Sequence, residues 1–197
     1  MLQCMRGISL MHDIPEVAQI CTNMADLFRY SIKSAFLVPL ENELNIIDKY
    51  LYMIEVRFQG RITYKLEVSE NTKVCLIPKM ILQPIVENAI FHGLDEIEEG
   101  GIVTIKTTRS EDDLYITVTD NGVGFSKEKL YDLTRKLEEE ITFINNSSSE
   151  TSDNIGVINI HNKIRLYEGN NYGLSINNIP NHTSVTLHLN AKQQTTT

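Results

Sequence analysis

Asp120-Asn121-Gly122-Val123-Gly124 closes a strand-like run that begins at Leu114. An acid at a strand terminus is a fixed hydrogen-bond acceptor, and glycines directly after it let the backbone close on a flat ligand, so the group suits a nucleotide base. A second signal lies upstream in Glu87-Asn88-Ala89-Ile90-Phe91-His92-Gly93, where Asn88 and His92 stand one helical turn apart. A third is Asn154-Ile155-Gly156-Val157-Ile158-Asn159, where a polar loop meets an amphipathic run. Each group also has a plainer use. Asp-Asn-Gly is a common turn, His92 suits a helix end or packing as well as a pocket, and Glu87 either holds a metal-bound water or a basic partner, or faces solvent. Asn88 has the weakest plain use, because an amide inside an apolar helix is costly unless something takes its hydrogen bonds. In this order and at this spacing the three groups read as one nucleotide site.

Those groups need elements to carry them. The apolar positions Val17, Ile20, Cys21, Met24, Leu27 and Phe28 recur at helical period after Pro15, a residue suited to a first helical turn. Leu2 to Met11 is a further apolar-rich run, and His12-Asp13-Ile14 between them reads as the turn of a helical hairpin. A helix is expected from Pro39 to Phe58, with Leu40, Leu44, Ile47, Leu51 and Ile54 on one stripe and Glu41 and Glu43 at its dipole-favoured start, ended by Gln59-Gly60. Arg61 to Val68 alternates as a strand, and Pro78 to Leu94 reads as one apolar helix. Gly101 to Thr108 and Leu114 to Thr119 read as strands joined by a turn at Ser110 to Asp113. Ser126 to Glu140 and Gly156 to Glu168 read as helices, with Gly173 to Asn177 and Ser184 to Leu189 as a closing hairpin. The stretch 145–154 is too polar to pack and reads as a mobile loop, and the tail after Ala191 reads as frayed.

Composition limits what such a chain can be. With 197 residues, 42% of them hydrophobic and 22% charged, it can bury one full core with an appended helical piece. A net charge of -8 argues against a nonspecific nucleic-acid binder, which needs a dense basic surface. ATP remains compatible, because Mg²⁺ and backbone N–H groups neutralise phosphates locally. Cys4, Cys21 and Cys75 suggest neither a disulfide framework nor a zinc site, which fits a reducing, cytoplasmic setting. No apolar run approaches the roughly 20 residues of a membrane span. The six methionines read as core fillers and Glu138-Glu139-Glu140 as a solvated helix end.

Taken with Asp26-Leu27-Phe28-Arg29-Tyr30-Ser31, Glu41-Asn42-Glu43-Leu44, Tyr50-Leu51, Arg57-Phe58, Ile77-Pro78-Lys79 and Leu82-Gln83-Pro84-Ile85-Val86-Glu87-Asn88-Ala89, the chain resembles the C-terminal part of a LytS/YesM-like sensor histidine kinase. That group lies in the wider gyrase, histidine-kinase and MutL ATP-binding superfamily. The resemblance implies an α/β two-layer sandwich of a mixed β-sheet and helices, of Bergerat type, spanning residues 59–190. Residues 1–58 would be partial dimerisation and linker helices, and 191–197 a disordered tail. It implies that Asn88 offers its side-chain oxygen to Mg²⁺ and that Asp120 accepts a hydrogen bond from the adenine amino group. Gly122 and Gly124 would admit the ring, Gly156 would begin the helix that approaches the phosphates, and Asn154, Val157, His92 and Lys163 would complete the ATP site.

Several positions depart from the family's pattern. Phe91 stands where many relatives have Lys, so Lys163 or Arg165 would have to compensate. Asn154 and Val157 replace a Gly and a Leu, and His182-Thr183 replaces Gly-Thr. ATPases of the superfamily carry a general-base Glu where this chain has Pro84, which disfavours water activation. No Asn-Pro-His-Phe acceptor box is present, so the expectation is a chain that begins just after the phosphoacceptor helix segment. The implied activity is transfer of the γ-phosphate to a histidine on the phosphoacceptor helix of its own or a sister chain, then to a response regulator, within a homodimeric parent in the cell membrane. Open alternatives are an ATPase or Ser/Thr kinase on the same fold, or a non-catalytic nucleotide-binding or dimerisation module.

Overall fold

The computed structural model describes residues 1–95, 97–138, 155–179 and 182–192. The sequence-predicted polar loop at 145–154 and most of the expected tail lie outside these residues. Helices α1 (Leu2–Met11) and α2 (Pro15–Ile32) form the expected hairpin, turning at Asp13 in a left-handed conformation (φ 54°), with Pro15 in the first turn of α2. Strand β1 (Leu37–Pro39) leads into α3 (Leu40–Arg57), whose first turn carries Glu41 and Glu43. Asp26 of α2 pairs with Lys49 of α3, and the Asn23 amide donates to the Lys49 carbonyl at 3.3 Å, so the two helices are joined by polar contacts as well as by packing. The Lys49 and Arg29 hydrogen bonds hold the Asp26 carboxyl below its usual range. Gln59 and Gly60, both at positive φ, end the helix segment as the sequence indicates.

Strands β2 (Ile62–Val68), β4 (Gly101–Ser110), β5 (Asp113–Asp120), β6 (Gly173–Ile179) and β7 (His182–Asn190) form one sheet in the order β2-β4-β5-β7-β6. β2 runs parallel to β4 and every other pairing is antiparallel, so the sheet is mixed. Period-two alternation places Val103, Ile105, Leu114, Ile116, Val118, Val185 and Leu187 on one buried face. These side chains share a single core with Leu44, Ile47 and Leu51 of α3, Ile85 of α4 (Gln83–Asn88), Leu133 of α5 (Lys127–Glu138) and Ile164 of α6 (Ile155–Glu168). The opposite face is polar, with Thr117 and Thr186 bonded across β5 and β7 at 3.0 Å. The two-layer α/β sandwich expected from the sequence is the architecture observed.

One element differs in kind. Residues 78 to 94 are not a single helix: Leu76–Pro78 forms a strand, β3, antiparallel to β1, and Met80 adopts φ 60° before α4 starts at Gln83. A short apolar run with no turn signal suits a buried strand as well as a helix, and Pro84 fits the first helical turn but not the interior of a helix that starts at 78. The chain then continues as a π-helical turn, Ala89–Gly93, in which the Leu94 N–H reaches back five residues to the Ala89 carbonyl at 3.1 Å.

Candidate functional site

The wider turn at Ala89–Gly93 delivers Gly93 against the end of β5. The Val123 N–H donates to the Gly93 carbonyl at 3.1 Å, and the backbones pass so closely that a Cβ on Gly122 would lie 1.8 Å from that oxygen. A Cβ on Gly93 would lie 2.6 Å from Asp120 Oδ1. Glycine is therefore required at 122 by the backbone it faces and favoured at 93 by the Asp120 carboxylate, a matter of proximity, since neither has an unusual φ.

Asp120 sits beside this crossing, 4% exposed. Its Oδ1 accepts the Gly122 N–H at 3.0 Å, which leaves Oδ2 for a ligand. Burial pushes the carboxyl above its usual range, opposed by the Gly122 donor and the nearby His182. Asn121 serves the scaffold: its amide accepts from the Ile102 N–H at 2.7 Å and donates to the Gly100 carbonyl at 2.9 Å, fastening the end of β5 to the start of β4.

A cavity opens here between α4, the ends of β5 and β7, and the start of α5. Asn88, Ala89, His92 and Gly93 form one wall, Val118, Asp120, Thr183 and Val185 the floor, and Gly124, Phe125 and Lys129 the rim. Gly124 takes φ 76°, a conformation that favours glycine. The rim is held by Asn178, whose Oδ1 accepts the Phe125 N–H at 2.9 Å while its Nδ2 donates to the Phe125 carbonyl at 3.1 Å; Thr183 Oγ1 adds a third bond at 3.1 Å.

Of the residues singled out in the sequence, Asn88, His92, Asp120 and Gly124 line this cavity, and Gly122 shapes it from behind. Glu87 accepts from the Gln83 amide at 2.9 Å along its own helix. Val157 is 1% exposed in the core, so it supports α6 without reaching the cavity. Gly156 lies at the first turn of α6, where an added Cβ would meet Pro84 Cβ at 3.6 Å. Lys163 is placed away from the cavity: it donates to the Lys79 carbonyl at 2.6 Å. Arg165 instead reaches toward the Leu137 carbonyl at 3.4 Å. Asn154 lies outside the described residues. Phe91 is 37% exposed, with the Arg57 guanidinium 5.8 Å from its ring centre.

Lys129, Phe125, Gly93 and Asn178 were not anticipated. Gly93 had a visible signal in ending the Asn88 motif, and Lys129 follows the glycine loop closely; Asn178 had none, because it arrives from β6 through the sheet. Among the described residues no group of three His, Cys, Asp or Glu side chains could hold a metal ion. Asn88 offers a single amide oxygen. That fits Mg²⁺, which keeps several waters and takes most of its other ligands from phosphates.

Residues 76–193 match the model of the histidine kinase-, DNA gyrase B- and HSP90-like ATPase family. The chain belongs to this family. Residues 1–62 match the histidine kinase model. The chain is 34% identical over 164 residues to the sensor protein kinase HptS of Staphylococcus aureus strain USA300, covering 82% of this chain and 30% of that protein. It thus spans under a third of the curated relative it matches, and it corresponds to the ATP-binding catalytic region of a sensor histidine kinase. The fold is similar to the histidine kinase domain of the blue-light activated histidine kinase from Erythrobacter litoralis EL346, with a TM-score of 0.54, 15% identity, and 91% and 81% of the two chains covered. It is also similar to the histidine kinase ThkA solved in complex with the response regulator TrrA, at a TM-score of 0.56 and 14% identity, covering 95% of this chain and 51% of that one.

Proposed function

We propose that this family member binds Mg²⁺-ATP in the cavity beside Asp120 and presents the γ-phosphate to a histidine on the phosphoacceptor helix of its own or a sister chain, from which a response regulator takes it. The observation that carries this reading is the Asp120 carboxylate, buried where the Ala89–Gly93 turn meets the end of β5: one oxygen is engaged by the Gly122 N–H, and Asn88 stands on the facing wall. Asp120 Oδ2 would accept from the adenine amino group, and the Asn88 amide oxygen would be the protein's ligand to Mg²⁺. Lys129, the one Lys or Arg among the lining residues, adds positive charge at the rim. Mg²⁺ supplies charge neutralisation between the phosphates. The protein contributes positioning, as phosphoryl transfer demands little covalent chemistry of it.

We assign residues 1–58 to the dimerisation and linker helices, with α3 as the linker seated on the ATP-binding unit of residues 59–190. The exposed Met5, Ile8, Leu10, Met11, Val17 and Phe28 on α1 and α2 support a homodimeric parent of the LytS/YesM type. A response-regulator partner is supported by the ThkA complex. Among the described residues no helix is long and apolar enough to cross a membrane, so a membrane parent rests on likeness to a sensor kinase.

Calorimetric titration tests the reading. The wild-type chain binds ATP more tightly with Mg²⁺ than without it, and Asn88→Ala removes most of that difference while leaving adenosine binding intact. Heat-silent titrations of the wild type with ATP, ADP and adenosine would sink the assignment.

Transfer is a separate expectation. Of the five histidines, His12 lies at the α1–α2 turn, His161 is buried against Gly173, His182 opens β7, His188 pairs with Asp113, and His92 shares its helical segment with Asn88. Incubated with radiolabelled ATP, the chain should bind nucleotide without acquiring acid-labile phosphate. Pro84, standing where superfamily ATPases carry a general-base Glu, offers no proton acceptor and disfavours rapid hydrolysis as well. Rapid self-labelling on a histidine would place an acceptor within this chain, and rapid turnover of ATP would favour the ATPase alternative.

A further inference from the structure

Lys79 and Met80, at the corner between β3 and α4, are tied in two directions by buried polar side chains. Toward α2, the Lys79 ammonium donates to the Lys33 carbonyl at 2.6 Å and the Ser31 carbonyl at 3.4 Å, and it lies 4.7 Å from the centre of the Tyr30 ring. A helix C-terminus leaves carbonyls without intrahelical partners and carries the negative end of the dipole, so a cation is favoured there. Lys79 is only 7% exposed, and its own N–H donates to the Phe36 carbonyl at 2.9 Å. Toward α6, the Lys79 carbonyl accepts the Lys163 ammonium.

Glu43 closes the cluster from α3. It is 2% exposed, and its Oε1 accepts both the Tyr30 hydroxyl and the Met80 N–H, the latter at 2.8 Å. Met80 is thereby held at φ 60°, a region that side chains other than glycine rarely occupy without support from their surroundings. Burial lowers the affinity of Lys163 for its proton while Glu43 acts to restore it. Backbone carbonyls thus take the hydrogen bonds of the buried Lys79 ammonium and of the half-buried Lys163 ammonium.

The corner precedes α4, which leads to Asn88 and His92. α6 meets the same segment again two turns earlier, where Gly156 faces Pro84. α4, which leads into one wall of the cavity, and α6, which packs on α4, are therefore both referenced to a point that is itself fastened to the end of α2. We propose that Glu43, Lys79 and Lys163 are positioning residues for the cavity: through the Lys79–Met80 corner they hold α4 and α6 in register with the C-terminal end of α2, so that nucleotide affinity depends on where α2 ends. This rests on reading the cavity as a nucleotide site. Lys163 acts through Lys79, without touching the ligand.

The test combines ATP calorimetry with thermal melting of the nucleotide-free chain, for the wild type, Lys163→Met, Lys163→Arg, Tyr30→Phe and the Tyr30→Phe/Lys163→Met pair. Lys163→Met weakens ATP roughly five- to tenfold, within the span of coupling between distant sites. Lys163→Arg, which still donates to the Lys79 carbonyl, recovers most of that loss. Tyr30→Phe, which keeps the ring under Lys79 and removes only the hydroxyl bonded to Glu43, weakens ATP in the same direction. The double variant loses less than the product of the two single effects. A purely structural cluster would lower the melting temperatures and leave ATP affinity unchanged, and that result overturns the proposal, as does a fully multiplicative double variant. Should Lys163→Met fail to fold, Tyr30→Phe decides alone, with unchanged affinity as the refuting outcome. A wild type that binds no nucleotide removes the site itself; a wild type that binds with variants that bind equally well removes only the positioning role.

Discussion

Asp120→Asn will weaken ATP by one to two powers of ten and, at neutral pH, raise the melting temperature of the nucleotide-free protein. The two effects have one origin. Asp120 Oδ1 is engaged by the Gly122 N–H, a bond that an Asn carbonyl oxygen reproduces. The amide nitrogen then takes the place of Oδ2, and the adenine amino group meets a donor where it needs an acceptor. Loss of a hydrogen bond to a charged group is worth about 1.5–3 kcal/mol, and each 1.4 kcal/mol is about tenfold in affinity. Stability moves the other way because burial holds the Asp120 carboxyl above its ordinary value of 3.8, so ionised Asp120 opposes folding. The folded chain keeps this proton to higher pH than the unfolded chain does. The proton-linked stability is fully present below pH 3.8 and is lost as pH rises through the elevated folded value. The advantage of Asn over Asp should thus be large at pH 7 and shrink toward pH 4. Melting curves at the two pH values, with calorimetry at pH 7, check both halves; equal ATP affinity of the two proteins would refute the base-acceptor role.

Gly122→Ala should harm both the fold and the ligand site. The added Cβ would lie 1.8 Å from the Gly93 carbonyl oxygen and 2.9 Å from Asp120 Oδ1, so the Ala89–Gly93 turn and the segment after β5 must separate and the Val123 to Gly93 hydrogen bond is lost. Overpacking of this kind typically costs about 1–3 kcal/mol, or roughly 3–10 °C of melting temperature for a chain of this size. Gly93→Ala has a different profile. Its Cβ would meet the Asp120 carboxylate, a side chain that can rotate away, so stability falls less and ATP affinity falls at least as far. A Gly122→Ala protein that melts with the wild type would show that the crossing can open freely. Thermal melts of both variants, each followed by an ATP titration, separate these cases.

The residues that announced themselves were those whose local chemistry is unusual for their setting. Asp120, Gly122 and Gly124 at a strand end, and Asn88 inside an apolar helix, each make poor sense without a ligand or a close backbone approach, and the structure gathers them around one cavity or its wall. Period-two alternation in β4, β5 and β7, and period 3.6 in α2 and α3, carried the sandwich. Pairings of low information content were not legible. The β1–β3 ribbon is three residues per strand, too short for periodicity to register, and it displaced the first part of the helix expected from Pro78. Lys163 illustrates a further limit: a cation's sequence position near a glycine loop says nothing about which carbonyl it reaches, and here Lys79 is the partner. Asn178 was invisible for the same reason, because its contact with Phe125 spans 53 positions in the sequence.

The rim and base of the cavity are fastened by neutral amides, Asn178 on Phe125 and Asn121 across Gly100 and Ile102. Dissolved electrolyte screens full charges far more than it disturbs amide contacts. The mould that receives the ligand should therefore keep its shape from dilute buffer to high ionic strength, and the electrolyte dependence of affinity becomes a ruler for the ligand's own phosphates. Adenosine, lacking them, would trace the flat baseline against which ATP is read.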